Sequence, residues 1–393
     1  MSKTTFKNCQ LFDGAHDAIQ ANSWFTVNDA GRITAMGTGT APSSDHVVDL
    51  NGKYVMPGLI NAHTHITMDP KVGSGDTGVD EVTATVRAVQ NLHELLKSGV
   101  TYIRECGCTF NIDVTLEKLR ATGKLTKIPN ILPSGQPFSM TGGHGDLPNF
   151  GKLVDSPDEM RKAVRTALRD GVKAVKLMAT GGVMTPGDFM DDPQLTIEEM
   201  SVAVAEAHHK GNIVAAHAEG NPGIYNAIKA GVDSIEHGCY VTDDEIDMML
   251  DQGTYLTPTL VAAWTIPEFG PGKLPDWEVK KSADAWGDIC VNIEHARQRG
   301  VKITLGTDAG TPYNDFSMTP VEFELMVRNG APNFAALQTN QNSAALLNIA
   351  DDYGTLVENK IADFLVLDRD PLADVKAVQQ LDKAVYKSGV QVY

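Results

Sequence analysis

The chain is poor in positive charge. Lysine and arginine total 33 against 50 aspartates and glutamates, a net charge of −17 at pH 7. No basic run is present to follow a phosphate backbone, so nucleic acid is excluded as an expected partner. No uninterrupted apolar stretch is long enough to cross a bilayer, and the first residues enter a polar, strand-like pattern without an apolar leader. The expectation is a cytoplasmic protein with no membrane partner. Cysteines are few: positions 9, 106, 108, 239 and 290, an odd number without a C-x-x-C pair. That argues against a disulfide framework and for a reducing compartment. Cys106 and Cys108, two apart on an expected strand, share one face and read as small packing residues. No glycine-rich phosphate loop follows the first apolar strand, which counts against an open nucleotide-binding sheet. What remains is an ordinary composition, 42% hydrophobic, with 36 glycines and 19 prolines spread over 393 residues. This is a globular, enzyme-sized chain with a large core.

Both ends of the chain carry short alternating runs broken by turn residues. At the start these fall near 5–12, 23–27, 32–36 and 46–50, read as antiparallel strands; at the end they fall at 363–367 and 383–392. The expectation is one small β-sandwich domain assembled from residues 1–56 and 357–393. The middle repeats a different unit, a charged helical segment ending in glycine with a β-rich strand directly after it. It appears at Gly99, Gly171, Gly211, Gly231, Gly253 and Gly300. Glycine takes the left-handed conformation that ends a helix, and the apolar run that follows suits a buried parallel strand. Residues 59–66 and 130–135 bring the strands to eight, the number in a (β/α)8 TIM barrel, expected over residues 57–356. Segments 138–154, 181–195 and 261–277 are expected as loops over the strand ends, where they would select substrate.

Four of the eleven histidines fall at expected strand ends. His63 and His65, two apart, put both imidazoles on one face, as chelation of one ion requires. His217 and His237 are one βα repeat apart and end neighbouring strands. Asp308 closes the eighth strand, and Lys176 lies inside an apolar strand where a bare ammonium is costly. Gathered at one barrel face, these residues read as a metal site.

The same residues resemble the amidohydrolase superfamily of metal-dependent hydrolases over nearly the whole chain. The match runs through Met56-Pro-Gly-Leu-Ile-Asn-Ala-His-Thr-His65, His217-Ala-Glu-Gly220, Ile235-Glu-His-Gly238, Gly306-Thr-Asp308 and Lys360-Ile-Ala-Asp363. The segment 175–186, Gly142-Gly-His-Gly145 and His237-Gly-Cys-Tyr240 resemble the branch of prolidase-like dipeptidases, Lys/Arg carboxypeptidase-like enzymes and imidazolonepropionase relatives. One departure is Arg104-Glu105-Cys106-Gly107, where the branch commonly has Arg-Asp before a glycine pair; another is Asn359, where relatives often have glycine.

The resemblance implies two divalent metal ions bridged by an N6-carboxylated Lys176. His63, His65 and Asp308 would bind one ion, and His217 and His237 the other. Zinc suits these ligand types, with manganese, cobalt and iron also admitted. It implies amide hydrolysis by a metal-bridging hydroxide with Asp308 as proton shuttle. Tyr240 would help hold the oxyanion, and His144 would contact the substrate carbonyl or carboxylate. The implied substrate is a small molecule, a dipeptide (Xaa-Pro or similar) or an N-acyl amino acid, and the implied assembly a homo-oligomer. A cyclic amide such as an imidazolone or hydantoin is the alternative substrate, and a metal-free scaffold the non-enzymatic alternative.

Overall fold

The computed structural model describes residues 3–72 and 76–393. The amino-terminal strands are β1 (Lys3–Phe12), β2 (Ile19–Asn28), β3 (Ile33–Thr38), β4 (His46–Asp49) and β5 (Tyr54–Pro57). The middle of the chain contributes β6 (Leu59–Thr64), β7 (Val100–Glu105), β8 (Asn130–Leu132), β9 (Phe138–Ser139), β10 (Lys152–Leu153), β11 (Ala174–Met178), β12 (Ile213–Ala218), β13 (Ser234–His237) and β14 (Tyr255–Thr257). The tail adds β15 (Phe364–Leu367), β16 (Ala384–Lys387) and β17 (Val390–Gln391).

The terminal strands form one sheet in the order β17-β16-β15-β5-β1-β2-β3, with β4 also on β1. It is mixed rather than wholly antiparallel. The chain passes through β2 and β3 before returning to the other edge of β1, so β4 and β5 run parallel to β1. In a flat sheet β1 and β16, three strand steps apart, would be separated by about 14 Å. The rings of Phe6 and Tyr386 nevertheless stand 5.4 Å apart. The sheet therefore curls on itself, and its two layers close over Phe6, Phe25, Phe364 and Tyr386. Alternation along β15 serves two cores: Phe364 and Val366 pack into this one, while Leu365 and Leu367 pack into the larger core of the barrel.

The barrel strands run parallel as β6-β7-β8 and β9-β11-β12-β13-β14. The glycine signals hold where they matter. Gly99, Gly171, Gly231, Gly253 and Gly300 each cap a helix with positive φ, and their N–H groups reach back into its last turn. The expected third strand is broken, ending at Leu132 and resuming as β9, which pairs with β11 at Leu177. The segment 138–154 thus begins and ends on a short parallel pair, β9 with β10, around the turn that carries His144. The eighth strand is an extended segment rather than a ladder. It closes the ring through Thr304 N–H to Leu256 O at 2.9 Å, Ala62 N–H to Leu305 O at 2.8 Å and Asp308 N–H to His63 O at 2.9 Å. Asn61 and Ser343 side chains take other N–H groups of this segment, which limits its pairing. Segment 261–277, expected as a loop, lies mostly in the helix Leu260–Phe269, with its last residues opening the helix Asp276–Arg299.

Candidate metal centre

Alternation along the buried strands aims the chemistry. On β11, Val175 and Leu177 join the outer core while Lys176 turns to the cavity at the barrel mouth; on β12, Val214 and Ala216 pack outward and His217 turns in. His237 does not follow this rule. Ser234 and Glu236 of β13 face inward, so a regular pleat would send His237 outward with Ile235. Its φ of +72° turns the imidazole back into the site, and Asp308 carries a similar φ of +60°. Left-handed backbone at non-glycine residues is costly and concentrates at functional sites. At Gly306 a Cβ would stand 2.3 Å from Thr257 and 3.1 Å from His63 Cβ, so only glycine lets the eighth segment approach β6 this closely.

His63, His65 and Asp308 meet at one point. Asp308 Oδ1 lies 3.3 Å from His63 Nε2 and 3.0 Å from His65 Nε2. The Nδ1 atoms of both imidazoles point at acceptors, Glu236 Oε2 at 2.7 Å and Gly107 O at 2.9 Å. Each Nδ1 therefore serves as the donor, and each Nε2 is left facing Asp308. His63 Nε2 and Asp308 Oδ1, both buried, make no hydrogen bond. Two imidazole nitrogens and a carboxylate oxygen converging at this distance are suited to a cation.

A second set faces the first. His217 Nε2 contacts Gly181 O at 3.0 Å, and His237 Nδ1 contacts Thr259 Oγ1 at 2.7 Å, which leaves one nitrogen of each ring for a ligand. Glu219, not anticipated from the sequence, completes a cluster with them, its ligand atom within 4.8 Å of theirs. Burial holds His63, His217 and His237 well below the ordinary imidazole value, reinforced in each case by neighbouring imidazoles and by Lys176. All three are neutral donors. Burial, with the negative charges of Asp308 and Asp188, pushes the Glu219 carboxyl up to about 8.

Beneath His63 lies a buried charge network. Arg104 donates to Glu236 Oε1 at 2.6 Å, to Ser234 Oγ at 2.8 Å and to Ala62 O at 2.5 Å, while Ser234 also bonds Glu236. The departure at Glu105 is accommodated locally, since its carboxyl accepts from Thr64 Oγ1 and Ile66 N–H. Cys106 also lies within reach of His63 and Glu236. Burial pushes its thiol up to about 12, so it stays protonated and packs, as does buried Cys108.

His144 stacks on His217, with centroids 4.2 Å apart and planes 12° from parallel, and its Nδ1 is 2.9 Å from Asp188 Oδ2. Gln194 accepts its backbone N–H and donates to Asp188, so the two loops lock together. A Cβ on Gly182 would stand 2.6 Å from the His144 ring, so glycine there admits the imidazole. Lys281, from the helix Asp276–Arg299, donates to the carbonyls of Gly182, Thr185 and Asp188 and pins the second loop. The rest of the cavity wall is apolar and rich in methionine: Met68, Met178, Met184 and Met190, with Phe150 and Ile266.

The structure thus brings His63, His65, Lys176, His217, His237, Asp308 and His144 to one cavity. Tyr240 is half-buried beside Cys239 and does not line it. Burial pushes its phenol up to about 12, helped by nearby acidic groups such as Asp288 and Asp284.

A parallel barrel with this donor set at its mouth defines a metal-dependent hydrolase, and the chain belongs to the Amidohydrolase family, whose pattern matches residues 54–392. It is a hydrolase acting on carbon–nitrogen amide bonds. Among solved structures it is similar to a Xaa-Pro dipeptidase with bound methionine in the active site, at 31% identity and TM-score 0.91, covering 99% of both chains. It is also similar to a prolidase complexed with N-methylphosphonate-L-proline, at 26% identity and TM-score 0.92, again covering 99% of both. Among characterised proteins it is 30% identical to ochratoxinase of Aspergillus niger over 362 residues, 83% of this chain and 72% of the relative. No helix among the described residues is long and apolar enough to cross a membrane.

Proposed function

We propose that this chain hydrolyses the amide bond of a dipeptide, Xaa-Pro or similar, or of an N-acyl amino acid. The observation that carries the reading is the convergence of His63 Nε2, His65 Nε2 and Asp308 Oδ1, opposite His217 and His237 and beside buried Lys176, at the mouth of an apolar cavity. Likeness to a Xaa-Pro dipeptidase and a prolidase supports the substrate class.

In this reading His63, His65 and Asp308 hold one divalent ion, and His217 and His237 the other. Zinc best suits the ligands; manganese, cobalt and iron are the alternatives. Lys176, as N6-carboxylysine, would also hold the ions, and that change would turn a costly buried cation into an anionic ligand. When bound, the ions supply Lewis acidity and a water of lowered pKa. Asp308 takes the proton of the attacking water on its carboxylate and passes it to the leaving nitrogen. Neutral His63, His217 and His237 need not shed a proton to act as ligands. His144, its Nδ1 fixed by Asp188, presents Nε2 to the substrate carbonyl or carboxylate. Tyr240 acts from the rim, its hydroxyl turning to the oxyanion once substrate fills the cavity. The catalytic unit is the barrel over 57–356, braced by the small domain of 1–56 and 357–393. Five free thiols support a cytoplasmic location, and the assembly is a homo-oligomer.

The test is amine release from dipeptides, N-acyl amino acids and cyclic amides, using protein refilled with zinc or manganese in bicarbonate. Cleavage of linear amides carrying a free carboxylate is expected. Ring opening of an imidazolone or hydantoin alone would overturn the linear-amide reading while leaving the metal centre in place.

A further inference from the structure

The cavity contains an acid with one oxygen unpartnered among the described residues. Glu219 lines it, yet is only 6% exposed, and its Oε2 is fully buried without a hydrogen bond. Its backbone is fixed on both sides: the N–H donates to Thr180 Oγ1 at 3.1 Å, and the carbonyl accepts from Tyr240 N–H at 2.9 Å. A buried carboxyl with an open oxygen is poised to pair with a cation that enters the cavity. Among the described residues lining the cavity there is no arginine, and Lys176 is the sole lysine. Lys281 has already committed its ammonium to three loop carbonyls.

The ion that His217 and His237 would hold is one cation near Glu219, and a substrate bound beside that ion would bring a second. Glu219 lies within 4.8 Å of the ligand nitrogens of His217 and His237. An amide carbonyl drawn to that side of the centre carries its α-substituents two bonds away, next to this carboxylate. We propose that Glu219 binds the α-ammonium of the substrate's first residue. Free-amino dipeptides are then the substrates in preference to N-acyl amino acids, an inference that rests on the amide-hydrolase reading above. The side chain of that residue meets Met178, Met184 and Met190, flexible thioethers that fit varied apolar groups.

The test measures binding without cleavage. L-Phenylalaninol and 3-phenyl-1-propanol differ only by the amine, and neither has an amide to cut. Calorimetry on the metal-loaded enzyme should show the amine binding tighter by about tenfold or more, as for a desolvated, charge-assisted contact. In Glu219→Gln the preference should fall below about threefold with the metal content unchanged. Equal or undetectable binding of the two probes to the wild type, or a preference that survives in Glu219→Gln, overturns the proposal. Loss of one ion per chain from Glu219→Gln also overturns it, by making Glu219 a metal ligand instead. A protein that keeps the amine preference but cuts no dipeptide refutes the proposed function and not the ammonium site.

Discussion

His63 is fixed from beneath the barrel mouth, whereas His217 and His237 are fixed from beside it. Under His63 the order is Glu236, Arg104 and Ser234, all fully buried and mutually bonded. His217 and His237 rest instead on Gly181 O and Thr259 Oγ1, with His144 stacked over His217 and held there by Asp188 from a second loop. The first half is set, through His63, by a buried charge network that belongs to the barrel, while His65 rests on the Gly107 carbonyl. The other is set by neutral contacts and loop closure. Damage to the buried supports of the first half should register in stability and metal retention together. Damage to the second should register in substrate handling while the fold survives.

The largest effect is expected at the residue that serves chemistry and metal alike. Asp308→Asn should lower kcat by about a thousandfold or more while keeping the fold and much of the metal; steady-state rates with elemental analysis decide it, and an active variant would remove the proton shuttle. Next is Glu236→Gln, which leaves Arg104 buried beside a neutral partner. It should cost about 3 kcal/mol or more of unfolding free energy and weaken metal retention about tenfold or more, read by denaturant titration and competitive chelation. Asp188→Asn provides the contrast: an approximately tenfold loss in kcat/KM with metal content unchanged. Tyr240→Phe should be milder, about threefold in kcat, since the phenol stands outside the cavity lining.

The neutral imidazoles of both halves add a pH dependence to the metal-free chain. Their folded pKa values lie well below the ordinary 6.5. The unfolded chain therefore takes up protons that the folded one refuses, and stability present above pH 6.5 is lost as pH falls below it. Thermal melts of the metal-free protein from pH 8 to 5 should show Tm falling on the acid side. A flat profile would mean that these rings are less buried than the structure has them.

The first half was more legible in the sequence than the supports of either half. His63 and His65 declare themselves by a spacing of two, and the capping glycines mark where strands begin, because both signals are local. Glu236 reaches His63 across 173 positions, and Asp188 reaches His144 across 44. No short-range pattern encodes such pairs. The broken third strand and the bare eighth escaped for a related reason, since their pairing depends on groups such as Asn61 and Ser343 that arrive from elsewhere in the chain. Glu219 stood in the quoted His-Ala-Glu-Gly run, but only the fold reveals that its buried Oε2 has no hydrogen-bond partner among the described residues.

Metal counting on the dialysed chain, refilled with zinc in bicarbonate, tests the two-half centre most directly, with His65→Ala and His237→Ala measured alongside the wild type. The account predicts two ions per wild-type chain and one in each variant. A single ion in the wild type, lost from both variants, would contradict it.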